Sequence, residues 1–337
     1  MYSFNDELST YQGSLLAENK NIIASYDVDK GEKYTSVIKL MEDIVANRSL
    51  KKINLKISES KHINIINGFG VTLGDSIIGL NVCLFLKDRN KDLKINIARP
   101  CTTPESLESL YCYAKKAGLI DSTTRMPFPL SECRQYDFNI DMGNQLFRHD
   151  FQSLEMHDYF YDHMGISSHT VPQKYKQNHW LKRLPNGIKK NGEYIIFCPN
   201  ASSQIRAIPF KHHAQIIEKL IEKYNLPVLG FSPAKVKLYT DISHNVSDTI
   251  TYINIIRNSS FVYTADSSAV HIAAGFDIPC HCIFTSIDPD LRVRYYPHST
   301  SSFIGDAVTQ GLHFTENPEI INHVKNLYEK FYNTNSH

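Results

Sequence analysis

Three things are scarce in this chain, and each absence removes a class of function. There is no excess of charge: 36 Lys and Arg stand against 35 Asp and Glu, a net charge of +1, so the electrostatic footprint of a nucleic-acid binder is missing. There is no long apolar run. The most apolar window, 63–86, is interrupted by Asn64, Asn67, three glycines before Asp75 and Asp75 itself, and it reads as strand, loop and helix instead of a membrane span. There is no cysteine pattern either. The closest of the seven cysteines, Cys280 and Cys282, have no second pair at zinc spacing, so reduced thiols of a cytosolic protein are expected. The N-terminus, Met1-Tyr-Ser-Phe-Asn-Asp-Glu, lacks the basic start and apolar core of a signal peptide. The Asn-x-Ser matches at 47, 200, 245 and 258 then read as chance.

What is present is an α/β pattern repeated twice. At 337 residues with 42% apolar content, the chain is long enough for two domains of roughly 150 residues each. The most informative stretch is Phe261-Val-Tyr-Thr-Ala-Asp-Ser-Ser-Ala-Val-His-Ile-Ala-Ala-Gly275. A β-branched apolar run ends in Asp266, two serines follow, and small apolar residues at helical spacing carry His271 one turn in. Strand, tight turn and helix in that order place free backbone N–H groups and a positive dipole end beside a strand's carboxyl end, an arrangement that suits a phosphate.

A second unit of this kind runs from 63 to 98. Ile63-Asn-Ile-Ile-Asn reads as a buried strand, Gly68-Phe-Gly-Val-Thr-Leu-Gly-Asp-Ser as a glycine-rich turn into a helix at 76–88, and Lys94-Ile-Asn-Ile-Ala as the next strand. Gly68, Gly70 and Gly74 are spaced G-x-G-x-x-x-G, which departs from the dinucleotide fingerprint. Asp75 opens the helix, where a carboxylate can cap and complement the dipole.

Elsewhere the pattern predicts a helix around 35–46, a strand at 52–57, a helix at 104–118 and a short strand at 136–141. His157, Asp158, Asp162 and His163 lie on a further helix and are expected on its solvated face, with Tyr159, Phe160 and Met164 inward. Residues 172–192 are polar, Lys-rich and punctuated by Pro and Gly, and read as a domain linker with a solvated surface. Beyond it come a strand at 194–198, the loop Pro199-Asn-Ala-Ser-Ser-Gln-Ile-Arg-Ala-Ile-Pro209, a helix at 210–224, a strand at 227–231, a helix at 251–257, a strand at 281–284 and a final helix at 318–332.

Three separated pieces resemble the family 9 glycosyltransferases, whose best-known members are ADP-heptose:lipopolysaccharide heptosyltransferases. They are Gly74-Asp75-Ser-Ile-Ile-Gly-Leu-Asn, the loop from Pro199 through Arg206 to Pro209, and Asp266-Ser-Ser-Ala-Val-His-Ile-Ala-Ala-Gly with Pro279 and Phe284-Thr-Ser-Ile-Asp-Pro289. The chain departs from that pattern at Asn200, Ile208, Ser268, Ser286 and Ile287, and no acidic residue follows the Gly230 strand in Phe231-Ser-Pro-Ala-Lys-Val. The resemblance covers roughly 63–315.

It implies a GT-B fold: two Rossmann-like domains facing each other across a cleft. Residues 1–60 would form an extension, 61–180 the acceptor domain, 190–315 the nucleotide-sugar domain, and 316–337 a helix packing back towards the first domain. It also implies a metal-free, cofactor-free inverting sugar transfer from a nucleoside diphosphate sugar, with ADP the first nucleotide to consider. The acceptor would be a surface glycan or glycolipid, such as lipopolysaccharide core or capsule, met in the cytoplasm with peripheral contact at the inner membrane. Enzymes of the same fold that glycosylate protein side chains, and scaffolds that bind a sugar nucleotide without turnover, are the alternatives.

In this reading Asp75 takes the proton from the acceptor hydroxyl, provided the cleft raises its pKa. The diphosphate is held by Ala201, Ser202, Ser203 and Arg206, by the turn Asp266-Ser267-Ser268, and by Thr285. His271 either bonds a phosphate or is a buried structural histidine, and Asp266 orients the turn. Arg292 and Arg294, with Tyr295 and Tyr296, either face an anionic acceptor or rim the cleft. Asp288-Pro-Asp290 falls in the loop after the Rossmann elements, so no metal is assigned to it.

Overall fold

The computed structural model describes residues 11–29, 34, 36–40, 45–48, 51, 53, 55–145, 148–187 and 192–334. The chain divides into two compact units, Met1–Lys176 and Gln177–His337.

In chain order the first unit contains β1 (Leu15–Ala17), β2 (Asn21–Ile23), α1 (Ser25–Asp29), β3 (Val37–Lys39), β4 (His62–Ile66), α2 (Leu73–Arg89), β5 (Lys94–Arg99), α3 (Ser106–Lys116), β6 (Ser122–Arg125), β7 (Phe128–Pro129), β8 (Phe138–Asp141) and α4 (Met156–His163). Four strands pair in parallel in the order β6-β5-β4-β8, with Ile65 opposite both Ile97 and Ile140. Ile63, Ile65, Ile66, Ile95, Ile97 and Ala98 are fully buried. Parallel strands covered on both faces are mostly apolar, which is why these stand out in the sequence; the buried Asn64, Asn96 and Asn139 are exceptions, and they hydrogen-bond to one another across the strands. Thr72 starts α2: its Oγ1 accepts from Asp75 N, and Ser76 through Leu86 are buried. Gly79 lets α2 approach its own entry loop, since a Cβ there would lie 2.0 Å from Phe69 Cγ.

A smaller antiparallel sheet, β3-β1-β2-β7, stands beside the parallel one. Its Ile22 and Phe128 share a core with Ile66, Ala98 and Met126. Ala46 adds a parallel bridge to Ile140 on the free side of β8. The described N-terminal residues are thus built into the first unit.

The second unit contains β9 (Ile195–Cys198), α5 (His213–Tyr224), β10 (Val228–Gly230), β11 (Tyr239–Asp241), α6 (Thr249–Arg257), β12 (Phe261–Ala265), α7 (Ser268–Gly275), β13 (Cys280–Phe284), α8 (Asp290–Val293), β14 (Ser299–Phe303) and α9 (Pro318–Thr334). The sheet is parallel throughout, in the order β11-β10-β9-β12-β13-β14. Numbered within the unit this is 3-2-1-4-5-6, the Rossmann arrangement, whose topological switch lies between β9 and β12. Val324, Tyr328 and Tyr332 of α9 join Ile195, Phe197, Ile216 and Val228 in one core. The apolar face of the last helix therefore belongs to the second unit.

Three expectations fail here. Within the helix expected at 35–46, Val37–Lys39 is a strand, because β1 offers it an antiparallel partner with Leu16 opposite Ile38. Residues 35 and 41–44 of that stretch lie outside the described residues. The strand expected at 52–57 is absent at Ile53 and 55–57; Glu59 N and Ser60 N donate to Lys56 O, and Asn90 Nδ2 donates to Ile57 O, so a turn replaces the ladder. Lys52 and Asn54 are outside the described residues. The stretch read as a domain linker, 172–192, does contain the boundary between the two units, but the solvated surface expected of it is only partly found at 172–187. Its 3₁₀ turns bury Tyr175, Trp180 and Leu181, and Asn178 donates to His271 O at 3.0 Å. The long apolar window resolves as β4, loop and α2, and among the described residues no helix is long and apolar enough to cross a membrane.

Candidate functional site

Both units place their chemistry at the carboxyl ends of the central strands, where open α/β sheets leave a crevice. In the first unit the loop after β4 runs through Gly70 into α2. Asp75, half-buried in the first turn, accepts from Gln145 Nε2 at 3.0 Å. Gly70 sits at φ +80°, and a Cβ there would lie 2.7 Å from Gln145 Nε2 and 2.8 Å from Asp75 Oδ2. Only glycine fits both that backbone and that gap. At the end of β8, Asp141 accepts from Ser14 N (2.6 Å), Ser14 Oγ (2.9 Å), Asn67 Nδ2 (2.9 Å) and Gly143 N (2.8 Å). The N-terminal segment is fastened to the crevice through this carboxylate.

In the second unit the loop after β9 and the turn after β12 meet in an ion pair. Arg206 Nη1 lies 3.3 Å from Asp266 Oδ2, and the side chains are 16% and 6% exposed. The same guanidinium donates to Ser203 Oγ (3.0 Å) and to Ser202 Oγ, and it lies over the Phe314 ring. Asp266 therefore holds Arg206 in place, a role that its position in the turn did not disclose. Ser267 caps α7, its Oγ accepting from Ala269 N at 3.3 Å, and Ser268 is the first helical residue. Ala201, in the same loop as Arg206, packs against the unit's core.

Most of the other residues expected at the donor or acceptor have partners within the unit. Thr285 Oγ1 donates to Ile205 O at 2.9 Å and ties two loops together. His271 is buried with Nδ1 2.8 Å from Tyr296 OH, so its ring serves at least in part as a structural histidine. Arg292 is buried and donates to Leu291 O, whereas Arg294 is exposed. In the same unit, Cys198, Asn200, Phe231, Ser243, Val246 and Tyr252 line a pocket of about 380 Å³. Through Asn200 it shares the loop after β9 with Arg206.

Sequence reasoning missed His313. Its Nδ1 is 2.9 Å from Ser286 Oγ, its carbonyl accepts from Ser203 Oγ at 2.5 Å, and its Nε2 is buried with no partner among the described residues. Nothing in Gly311-Leu-His-Phe announces such a place. Burial, with Arg292 adding to it, lowers the His313 pKa from 6.5 to about 4, although Asp266 opposes the shift. A folded-state pKa below the unfolded one makes the contribution full above pH 6.5 and lost as pH falls towards 4. The shift corresponds to roughly 3 kcal/mol. Urea midpoints are therefore expected to fall between pH 7 and pH 4.5, and a His313→Gln chain is expected to show a shallower fall.

The histidine-rich helix α4 corrects another expectation. His157 and His163 are buried, not solvated. His157 Nδ1 lies 2.9 Å from Glu155 Oε1, and His163 bridges Arg148 Nη1 (2.6 Å) and Asp150 (2.9 Å), so both rings have polar partners inside. Among the described residues no three His, Cys, Asp or Glu side chains gather as a metal site, and none of the seven cysteines is in a disulfide.

No family model and no curated protein matches the chain. Solved structures do. The iron-containing dodecameric glycosyltransferase TibC from enterotoxigenic E. coli H10407 is similar, with a TM-score of 0.50 and 13% identity over 82% of this chain and 78% of its own. The fold is GT-B. E. coli ADP-heptose lps heptosyltransferase II has a TM-score of 0.49 at 13% identity, over 80% of this chain and 99% of its own. A family 9 glycosyl transferase from Veillonella parvula DSM 2008 has 0.49 at 12%, over 82% and 99%. At such identities the likeness is one of fold, and the GT-B framework leaves substrates to be argued from the side chains.

Proposed function

We propose that the chain is an inverting, metal-independent glycosyltransferase. It moves a sugar from a nucleoside diphosphate donor to a hydroxyl of a bacterial surface glycan such as lipopolysaccharide core or capsule, in the cytoplasm and in peripheral contact with the inner membrane. The observation that carries the reading is Arg206, fixed by Asp266, Ser202 and Ser203 beside the N-terminus of α7 at the switch point of a GT-B unit. TibC, the structure that shares the fold, is described as a glycosyltransferase.

In the proposed step Asp75 accepts the proton of the acceptor hydroxyl as its oxygen attacks the anomeric carbon. The bond between that carbon and the diphosphate oxygen breaks with inversion, and the nucleoside diphosphate leaves with its electron pair. Arg206 and the N–H groups at the start of α7 offset the charge that develops there, the task a divalent cation performs in metal-dependent transferases. Ser267 and Ser268 set the turn that presents those N–H groups.

The test is a thermal-shift series on the full chain. The expected order of stabilisation is nucleoside diphosphate over monophosphate over nucleoside, with ADP first among the bases. A ligand at a hundred times its Kd adds about 2.7 kcal/mol. A flat response to every nucleoside diphosphate and its sugars overturns the reading.

A further inference from the structure

The end of β5 carries a cation that the proposed step leaves unused. Arg99, the last residue of that strand, is 2% exposed. Its Nη2 donates to Glu108 Oε1, and its guanidinium lies 4.5 Å from the centre of the Tyr111 ring. Its Nε and Nη1 are buried with no acceptor among the described residues. In the loop that follows, Thr103 Oγ1 is also buried and unpartnered. Arg125 closes that loop from outside, donating to Glu108 Oε1 (2.8 Å), Cys101 O (2.7 Å) and Thr103 O (3.0 Å).

Two guanidinium groups thus share the Glu108 carboxylate, Arg125 from the solvent side at 40% exposure, while the buried Asp27 accepts from Cys101 N, Thr102 N and Thr102 Oγ1 of the same loop. Arginine does not shed its proton in proteins, so an enclosed guanidinium with idle N–H groups needs an acceptor from elsewhere. An oxyanion accepts from Nε, Nη1 and the Thr103 hydroxyl together, in charge-assisted hydrogen bonds stronger than those of a neutral acceptor. The position is close to the proposed base. A Cβ on Gly68 would lie 3.5 Å from Arg99 Cγ and 3.7 Å from Tyr111 OH. That hydroxyl donates to Ser76 Oγ at 3.2 Å, next in the chain to Asp75.

We infer that Arg99 and Thr103 form an oxyanion subsite in the first unit that takes a carboxylate or phosphate of the acceptor and so selects which hydroxyl reaches Asp75. The acceptor role rests on the transferase reading; the anion site itself does not. Entry requires the loop 100–105 to lift from Arg125 and from Asp27, which accepts from Cys101 N and Thr102 N.

The experiment uses the full chain with ¹⁵N-labelled arginine, in an Arg206→Gln background that removes the other anion site. Acetate and inorganic phosphate are titrated separately while the Arg99 Nε–H signal is followed. Arg99→Lys assigns the signal; if that variant does not fold, Arg125→Gln assigns it by perturbing the shared Glu108. A saturable shift in the millimolar range with either anion is expected, and the tighter one names the acceptor group. A signal unmoved by both anions at 100 mM overturns the inference. ADP added to the unsubstituted chain reports the donor site separately, so a lost ADP response with a retained Arg99 response sinks only the transferase reading.

Discussion

Replacing Asp75 by Asn is expected to lower the turnover of sugar transfer by about 10³-fold while leaving nucleoside diphosphate affinity unchanged. The substitution keeps shape and removes the ability to take a proton. The carbonyl of an asparagine at this position can still accept from Gln145 Nε2, which donates to Asp75 Oδ2 at 3.0 Å. The backbone bond from Asp75 N to Thr72 Oγ1 does not involve the side chain. The helix loses only its first-turn charge, worth about 0.3–1 kcal/mol. If Asp75 is merely a helix-terminal carboxylate, the reverse pattern appears: a small drop in melting temperature and full turnover. Initial rates of nucleoside diphosphate release, measured beside a thermal-shift affinity for the same nucleotide, separate the two.

Asp75 was legible because its surroundings are written locally. A buried parallel strand is rich in β-branched apolar residues, the turn after it needs glycine, and the helix needs an oxygen cap, so β4, Gly70, Thr72 and Asp75 fall in sequence order. The turn at Ala265–Ser268 is legible for the same reason. Edge strands are not. β14, Ser299-Thr-Ser-Ser-Phe303, and β11, Tyr239-Thr-Asp241, each pair on one side and face solvent, so nothing in their composition demands a strand. The short antiparallel strands β1 to β3 are set by their partners, which is how a helical pattern at 35–46 came to include a strand. Partnerships across long separations leave no trace either. Arg206 with Asp266, Ser286 with His313, and Arg99 with Glu108 are each fixed by topology, and each changes the meaning of a residue that its own neighbours describe as ordinary.

The second large effect is expected at Arg206. Exchanging it for Gln is expected to weaken nucleoside diphosphate binding by 10- to 100-fold, the range for losing charge-assisted hydrogen bonds. It also leaves Asp266 buried without its cation, which is expected to lower the stability of the second unit by about 3 kcal/mol. The two losses have different causes, and a second substitution parts them. With Asp266→Asn added, no uncompensated charge remains, so stability is expected to return towards that of the unsubstituted chain while binding stays weak. Asp266→Asn alone removes an anion from beside the proposed diphosphate and frees Arg206, so it is expected to keep or tighten binding. Arg206→Lys retains the charge but cannot span Asp266, Ser202 and Ser203 together, and its affinity is expected to fall between the two. The check is a double-mutant cycle read twice, once by urea unfolding and once by calorimetric titration with ADP. Binding that recovers together with stability in the double variant would mean that Arg206 supports the fold and does not touch the donor; binding that stays lost after stability returns assigns the guanidinium to the leaving diphosphate.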